Sequence, residues 1–112
     1  MTIKRCLMLV TAAGVLQIAA PAVADSDLFV LTIKDHRFQP EVIEVPAGQK
    51  VKLLVRNLDA TPEEFDSHDL NREKVIPGGQ EAIIFIGPLR PGAYRFEGEF
   101  HAGTAQGKVL AK

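Results

Sequence analysis

Apolar and polar residues alternate in short bursts along this chain, and proline and glycine separate the bursts. Phe29, Leu31 and Ile33 alternate with Val30, Thr32 and Lys34, the period of two expected of a half-buried strand. "EVIEV" (Glu41–Val45) follows and ends on the turn "PAG" at Pro46 to Gly48. The clearest alternation is "KVKLLVRN", which puts Val51, Leu53 and Val55 on one face and Lys50, Lys52 and Arg56 on the other. "EAIIFI" (Glu81–Ile86) is a further strand, with "PGG" before it and "GPLRPG" after it. "AYRFEGEF" sets Tyr94, Phe96 and Phe100 against Arg95, Glu97 and Glu99, and "KVLAK" closes the chain. Only "DSHDLNREKVI" (Asp66–Ile76) lacks alternation; it is polar and reads as a long connection. About seven short strands separated by turns predict an all-β fold, a Greek-key β-sandwich.

The first residues do not fit that pattern. Lys4 and Arg5 precede an apolar run from Leu7 to Ala20, and Ala22-Val23-Ala24 matches a small-x-small cleavage site. This is the three-part pattern of a secretory signal peptide over residues 1–24, with the folded domain over 25–112. The apolar run is about 14 residues, short of the roughly 20 that span a bilayer. Cys6 precedes the apolar run, which argues against a lipoprotein. Cleavage implies export to the periplasm with no membrane insertion of the mature chain. It also removes Cys6, Met1 and Met8, so residues 25–112 hold no sulfur ligand and form no disulfide.

Charge shifts in the same step. The 112-residue chain has 13 basic and 14 acidic residues; without Lys4 and Arg5 the net charge is about −3. That balance argues against nucleic acid and against anionic membrane surfaces as partners, and is compatible with cations. No catalytic constellation stands out. Ser67 beside His68 is adjacency without a triad, and neither a phosphate loop nor a zinc motif of the HExxH kind occurs. An enzymatic role is therefore not favoured.

Three stretches carry a resemblance to the cupredoxins: "FQPEVIEVPAGQKVKLLVRNLD" (Phe38–Asp59), "GPLRPGAYRF" (Gly87–Phe96) and "HAGTAQGKVL" (His101–Leu110). Blue-copper members need two histidines, a cysteine thiolate and usually a weak axial methionine. On this chain the first histidine slot falls on Glu63, the cysteine on Gly98, the second histidine on His101 and the methionine on Thr104. Without a thiolate, a blue-copper centre is excluded. Carboxylates stand in its place, in "PEEFDSHD" and "FEGEFH", and carboxylate with imidazole suits iron, manganese or copper(II).

"EEF", "LNREKVIPGG", "GEFH" and "TAQG" resemble a narrower group, the cupredoxin-like periplasmic components of bacterial iron-uptake systems. That resemblance implies a copper or iron ion, an inner-membrane iron permease as partner, and an accessory role in ferrous oxidation. It points to Glu64, Glu99 and His101 as ligands, with Glu63, His68 and His36 in reserve. Two rivals are a metal-free interaction module that docks on a membrane transport partner, and a non-blue copper electron carrier.

Overall fold

The structure, a computed structural model, describes residues 13–14 and 28–112. Apart from residues 13–14, the expected leader and its cleavage site at Ala24 lie outside the described residues. Nine strands occur among the described residues. The first four are β1 (Leu28–Lys34), β2 (Arg37–Gln39), β3 (Val42–Val45) and β4 (Val51–Asn57). The remainder are β5 (Glu63–Ser67), β6 (Arg72–Ile76), β7 (Glu81–Ile86), β8 (Gly92–Gly98) and β9 (Gln106–Ala111). A 3-10 turn, Glu99–His101, sits between β8 and β9.

These strands form two sheets, one of order β2-β1-β4-β7 and one of order β3-β9-β8-β5-β6. Pairing is antiparallel except for β1 with β4 and β3 with β9, which run parallel. Leu31, Ile33, Val51, Leu53 and Val55 turn inward from the first sheet, as their alternation predicts. Phe65, Phe96 and Val109 face them from the second sheet. Phe38 meets Phe96 edge-on with ring centroids 4.8 Å apart, and Phe65 stacks on Phe96 at 5.1 Å. Such aromatic contacts add about 1 kcal/mol each beyond the area they bury. This aromatic cluster lies beneath the end of the sandwich where the site described below is built, because Phe65 is paired with Gly98.

The sandwich class stands, but seven strands become nine. Arg37–Gln39 is a short edge strand, and most of the expected connection Asp66–Ile76 is a hairpin of β5 and β6. Its polar sequence has two physical causes. β5 points Glu63, Phe65 and Ser67 inward, so two of its three buried positions are polar. β6 is an edge strand whose first four residues are exposed, so nothing selects an apolar face. Phe100 is a second correction. The strand ends at Gly98, and Phe100 lies in the 3-10 turn, 48% exposed, away from the inward face of Phe96.

Candidate metal centre

Three connections meet at one end of the sandwich: the β1–β2 turn, the β4–β5 loop and the passage from β8 to β9. The turn is built by Asp35 and His36, both in the left-handed region, with φ of 52° and 57°. Such a conformation costs a non-glycine residue roughly 1–2 kcal/mol. It also directs two successive N–H groups at one point, where Asp59 stands. Asp35 N donates to Asp59 Oδ1 at 2.8 Å and His36 N to Oδ2 at 3.0 Å. The His36 backbone hydrogen bond is the main reason the Asp59 carboxyl titrates below its usual range. Desolvation opposes it, while the Asp35 hydrogen bond and the His36 and His101 charges reinforce it.

Asp59 is fixed in turn by Asn57, which is 1% exposed at the end of β4. Asn57 Oδ1 accepts from Asp59 N at 3.0 Å, while Nδ2 donates to the carbonyls of Thr61 (2.9 Å) and Ile76 (3.1 Å). One buried amide thus ties together β4, the loop after it and the end of β6.

Glu63 opens β5 on the inner face and is 1% exposed. Its Oε1 accepts from the backbone N–H groups of Glu64 and Phe100, both at 3.0 Å. Its Oε2 lies 2.6 Å from Nδ1 of His101. The His36 ring stacks on the His101 ring, with centroids 3.6 Å apart and planes 14° from parallel. Thr104 closes the arrangement by donating its hydroxyl to the His36 carbonyl at 2.6 Å. Ligand atoms of His36, Glu63 and His101 all lie within 4.8 Å of one another, the one such group of three among the described residues.

Gly98 explains how a carboxylate fits there. A Cβ at this position would lie 2.6 Å from Glu63 Cδ and 2.7 Å from Ala105 Cβ. Glu63 therefore fills the space that a side chain at position 98 would occupy. The two residues depend on each other: glutamate at 63 in this pose requires glycine at 98.

Residues 5–111 match the family described as a cupredoxin-like domain. The chain belongs to that cupredoxin-like family. It is 48% identical over 80 residues to an uncharacterised protein of Rickettsia prowazekii, covering 71% of this chain. The chain spans about 64% of that relative's length.

Among solved structures it is similar to the metal-binding domain of the Streptococcus pneumoniae Cu(I)-exporting P-type ATPase. The TM-score is 0.68 at 13% identity, over 76% of this chain and 84% of that one. It is also similar to amicyanin from Paracoccus versutus, with a TM-score of 0.62 at 16% identity over 77% and 82% of the two chains. Against the purple cupredoxin of Nitrosopumilus maritimus the TM-score is 0.57 at 19% identity, over 74% of this chain and 98% of that one. At such identities the likeness shows the fold.

This cupredoxin-like domain does not fit a thiolate copper centre. The described residues contain no cysteine or methionine, and Gly98 has no room for a side chain while Glu63 keeps its pose. Two imidazoles and a carboxylate form instead a potential donor set for a harder ion such as Cu(II), Fe(II) or Mn(II). In the stacked arrangement the two rings send their in-plane lone pairs out side by side rather than toward one point. Binding one ion with both rings therefore requires His36 to turn against His101. His36 is suited to that movement, since its side chain is 42% exposed against 28% for His101.

Of the six residues singled out in the sequence, the structure brings together His36, Glu63 and His101. Glu64 follows Glu63 in β5 and faces the other way, to the outer surface, where it shares a hydrogen bond with Glu99. That hydrogen bond is the first cause pushing the Glu64 carboxyl up to about 7. Lost solvation and the charges of Glu99, Glu73 and Asp66 add to it. Glu64 and Glu99 thus form a carboxyl pair outside the triad. His68 lies beyond the far end of β5, roughly 16 Å along the strand from Glu63, on a groove it lines with Asp66 and Asp69. Asp59 and Gly98 were not singled out as contributors. The signal for Asp59 was "NLD", whose Asn57-x-Asp59 spacing lets one amide hold one carboxylate. For Gly98 it was the glycine itself, at the slot where the resemblance to blue-copper proteins calls for cysteine.

Proposed function

We propose that this chain is exported by cleavage of residues 1–24 and serves in the periplasm as a metal-binding protein, holding Cu(II) or iron at His36, Glu63 and His101. The observation that carries the proposal is the Glu63 carboxylate. It is buried, aimed at His101, adjacent to His36, and accommodated by a glycine that leaves it room. Glu63 and His101 would hold the ion, His36 would close on it, and Asp59 and Thr104 would set how far His36 turns. Glu63, rather than Glu64 or Glu99, is the carboxylate that faces the histidines. In service of iron uptake the ion would be presented to an inner-membrane permease from this end of the sandwich. The half-exposed His36 is the side from which a partner reaches the ion.

Calorimetric titration of residues 25–112 with Cu(II) and with Fe(II) tests the site. The expected result is one ion per chain, with affinity falling at least ~100-fold in Glu63→Gln and in His101→Ala. Affinity should also fall as pH drops, since imidazole and carboxylate must shed protons to bind. Glu64→Gln and Glu99→Gln should stay within a few-fold of wild type. No binding, or equal binding in Glu63→Gln, sinks the proposed site.

One observation favours a second reading, a metal-free interaction module. The triad satisfies itself: Glu63 spends Oε1 on two N–H groups and Oε2 on His101, and no buried side-chain polar atom among the described residues lacks a partner. Partner capture that is insensitive to chelators, with no heat of metal binding, would select that reading.

A further inference from the structure

The two broad faces of the sandwich carry opposite charge, which the overall balance of the chain conceals. On the outer face of the first sheet, Lys34 and Arg37 stand side by side across β1 and β2, and Thr32 and Arg56 lie in the next row. Lys52 follows on β4, and Lys50 comes just before that strand. One acid, Glu81, stands among these five cations and is bound to Arg56 at 3.1 Å. The outer face of the second sheet has more acids than cations. Glu64, Asp66 and Glu73 stand together there, Glu97 pairs with Asp66, and Glu44 lies on β3, bound to Lys112 at 2.8 Å; Arg95 and Lys108 are the cations paired across β8 and β9.

Apolar groups are interleaved with the cations. Val30, Leu54 and Ile83 form one row across β1, β4 and β7, and Leu28, Lys52 and Phe85 form the next. Val30, Ile83 and Phe85 are 38%, 52% and 42% exposed, more than a covered sheet would allow. The Lys50 amine sits 4.7 Å from the centre of the Phe85 ring and the Lys52 amine 5.9 Å. Two grooves, of about 550 and 320 Å³, are lined by residues of the second sheet and its loops.

We infer that the outer face of the first sheet is a docking surface for an anionic phospholipid bilayer. Three observations select that occupant. The cations suit negative headgroups. Val30, Ile83 and Phe85 suit the boundary between headgroups and acyl chains, with Lys50 and Lys52 reaching up beside them. The cations and apolar groups are spread in rows across all four strands, which suits an extended surface better than an inserted peptide. A second copy docked face to face would set one cationic face against another. The net negative charge of the whole chain does not prevent docking. Beyond about 10 Å at ordinary ionic strength the far face is screened, and the near face decides. Docked this way, the sandwich lies flat and leaves the His36–Glu63–His101 end open along the plane of the bilayer. The inference does not rest on metal binding.

All nine strands and the buried core lie within residues 28–112, so residues 25–112 are the folded unit to test. Co-sedimentation is measured with vesicles of phosphatidylcholine mixed with phosphatidylglycerol, and with phosphatidylcholine alone. The expected result is binding to the anionic vesicles only, lost at high salt. Each cation strengthens such binding roughly five-fold, so Lys50→Gln with Lys52→Gln should weaken it about 25-fold. Ile83→Ser with Phe85→Ser should weaken it further at constant charge. Glu73→Gln on the opposite face should leave it unchanged. No binding to anionic vesicles, equal binding to both kinds, or binding unaffected by the Lys50 and Lys52 changes would overturn the inference. A partner that is an acidic protein instead would appear as the first of these outcomes.

Discussion

At the scale of single residues the site depends on a trade between positions 63 and 98. The space beneath the 3-10 turn holds one side chain, and here it is filled from β5 by Glu63, so position 98 must be empty. Gly98→Ala should therefore destabilise the fold by about 1–3 kcal/mol through overpacking against Glu63 and Ala105. In Gly98→Ala combined with Glu63→Ala, the contact with Glu63 is gone. Urea unfolding of the four proteins should show the pair costing less than the sum of its single changes. Strict additivity would mean that the two residues do not share the space.

The carboxyl pair on the outer face makes a different prediction, about pH. Glu64 is raised from 4.5 to about 7 by its hydrogen bond with Glu99 and by the negative charges around it. A carboxyl whose folded pKa is raised favours the folded state most below its unfolded pKa. That contribution declines as pH rises through the folded value. Stability conferred by Glu64 should thus fall between about pH 4.5 and 7, and Glu64→Gln should flatten that part of the profile. Asp59 has the opposite sign. Its depressed carboxyl stabilises the fold above its unfolded pKa, and that stability is lost as pH falls below about 4. Urea midpoints across this range read both effects.

Among the elements, the junction of β4, β5 and β6 supports the site, and Asn57 is its fastener. Asn57→Ala would leave the carbonyls of Thr61 and Ile76 and the N–H of Asp59 without partners. The expected loss is on the order of 3 kcal/mol. It should be accompanied by broadened imidazole resonances of His36, because Asp59 holds the β1–β2 turn. Unchanged His36 resonances would show that the turn is held some other way.

This junction also marks where the sequence ceased to be legible. Strands β1, β4, β7 and β8 announce themselves because one face of each is apolar, and the sandwich follows from them. β5 does not, since Glu63 and Ser67 are buried polar residues held by backbone and histidine partners. β6 does not, since it is an edge. For the site, the chain showed a histidine, His101, in the late loop and no sulfur in residues 25–112. It did not show which of Glu63 and Glu64 faces the interior, a matter of register that strand pairing decides. His36 was hardest to place. Its approach to His101 is fixed by two left-handed residues and by Asp59, 23 positions further along.

For the molecule as a whole, the described part is a two-sheet sandwich with three specialised surfaces: a donor end, an acidic face and a basic, partly apolar face. Among the described residues no helix is long and apolar enough to cross a membrane. The cupredoxin-like fold is kept while the soft ligands that usually accompany it are absent from the domain. In their place stands a potential nitrogen–oxygen donor set, of a kind that suits a harder ion.

The most direct measurement of that claim is electron paramagnetic resonance of residues 25–112 loaded with one equivalent of Cu(II). The account predicts an ordinary, non-blue copper spectrum with coupling to two imidazole nitrogens. That coupling should drop to one nitrogen in His36→Ala, and the spectrum should change form in Glu63→Gln. A spectrum that neither substitution alters would contradict it.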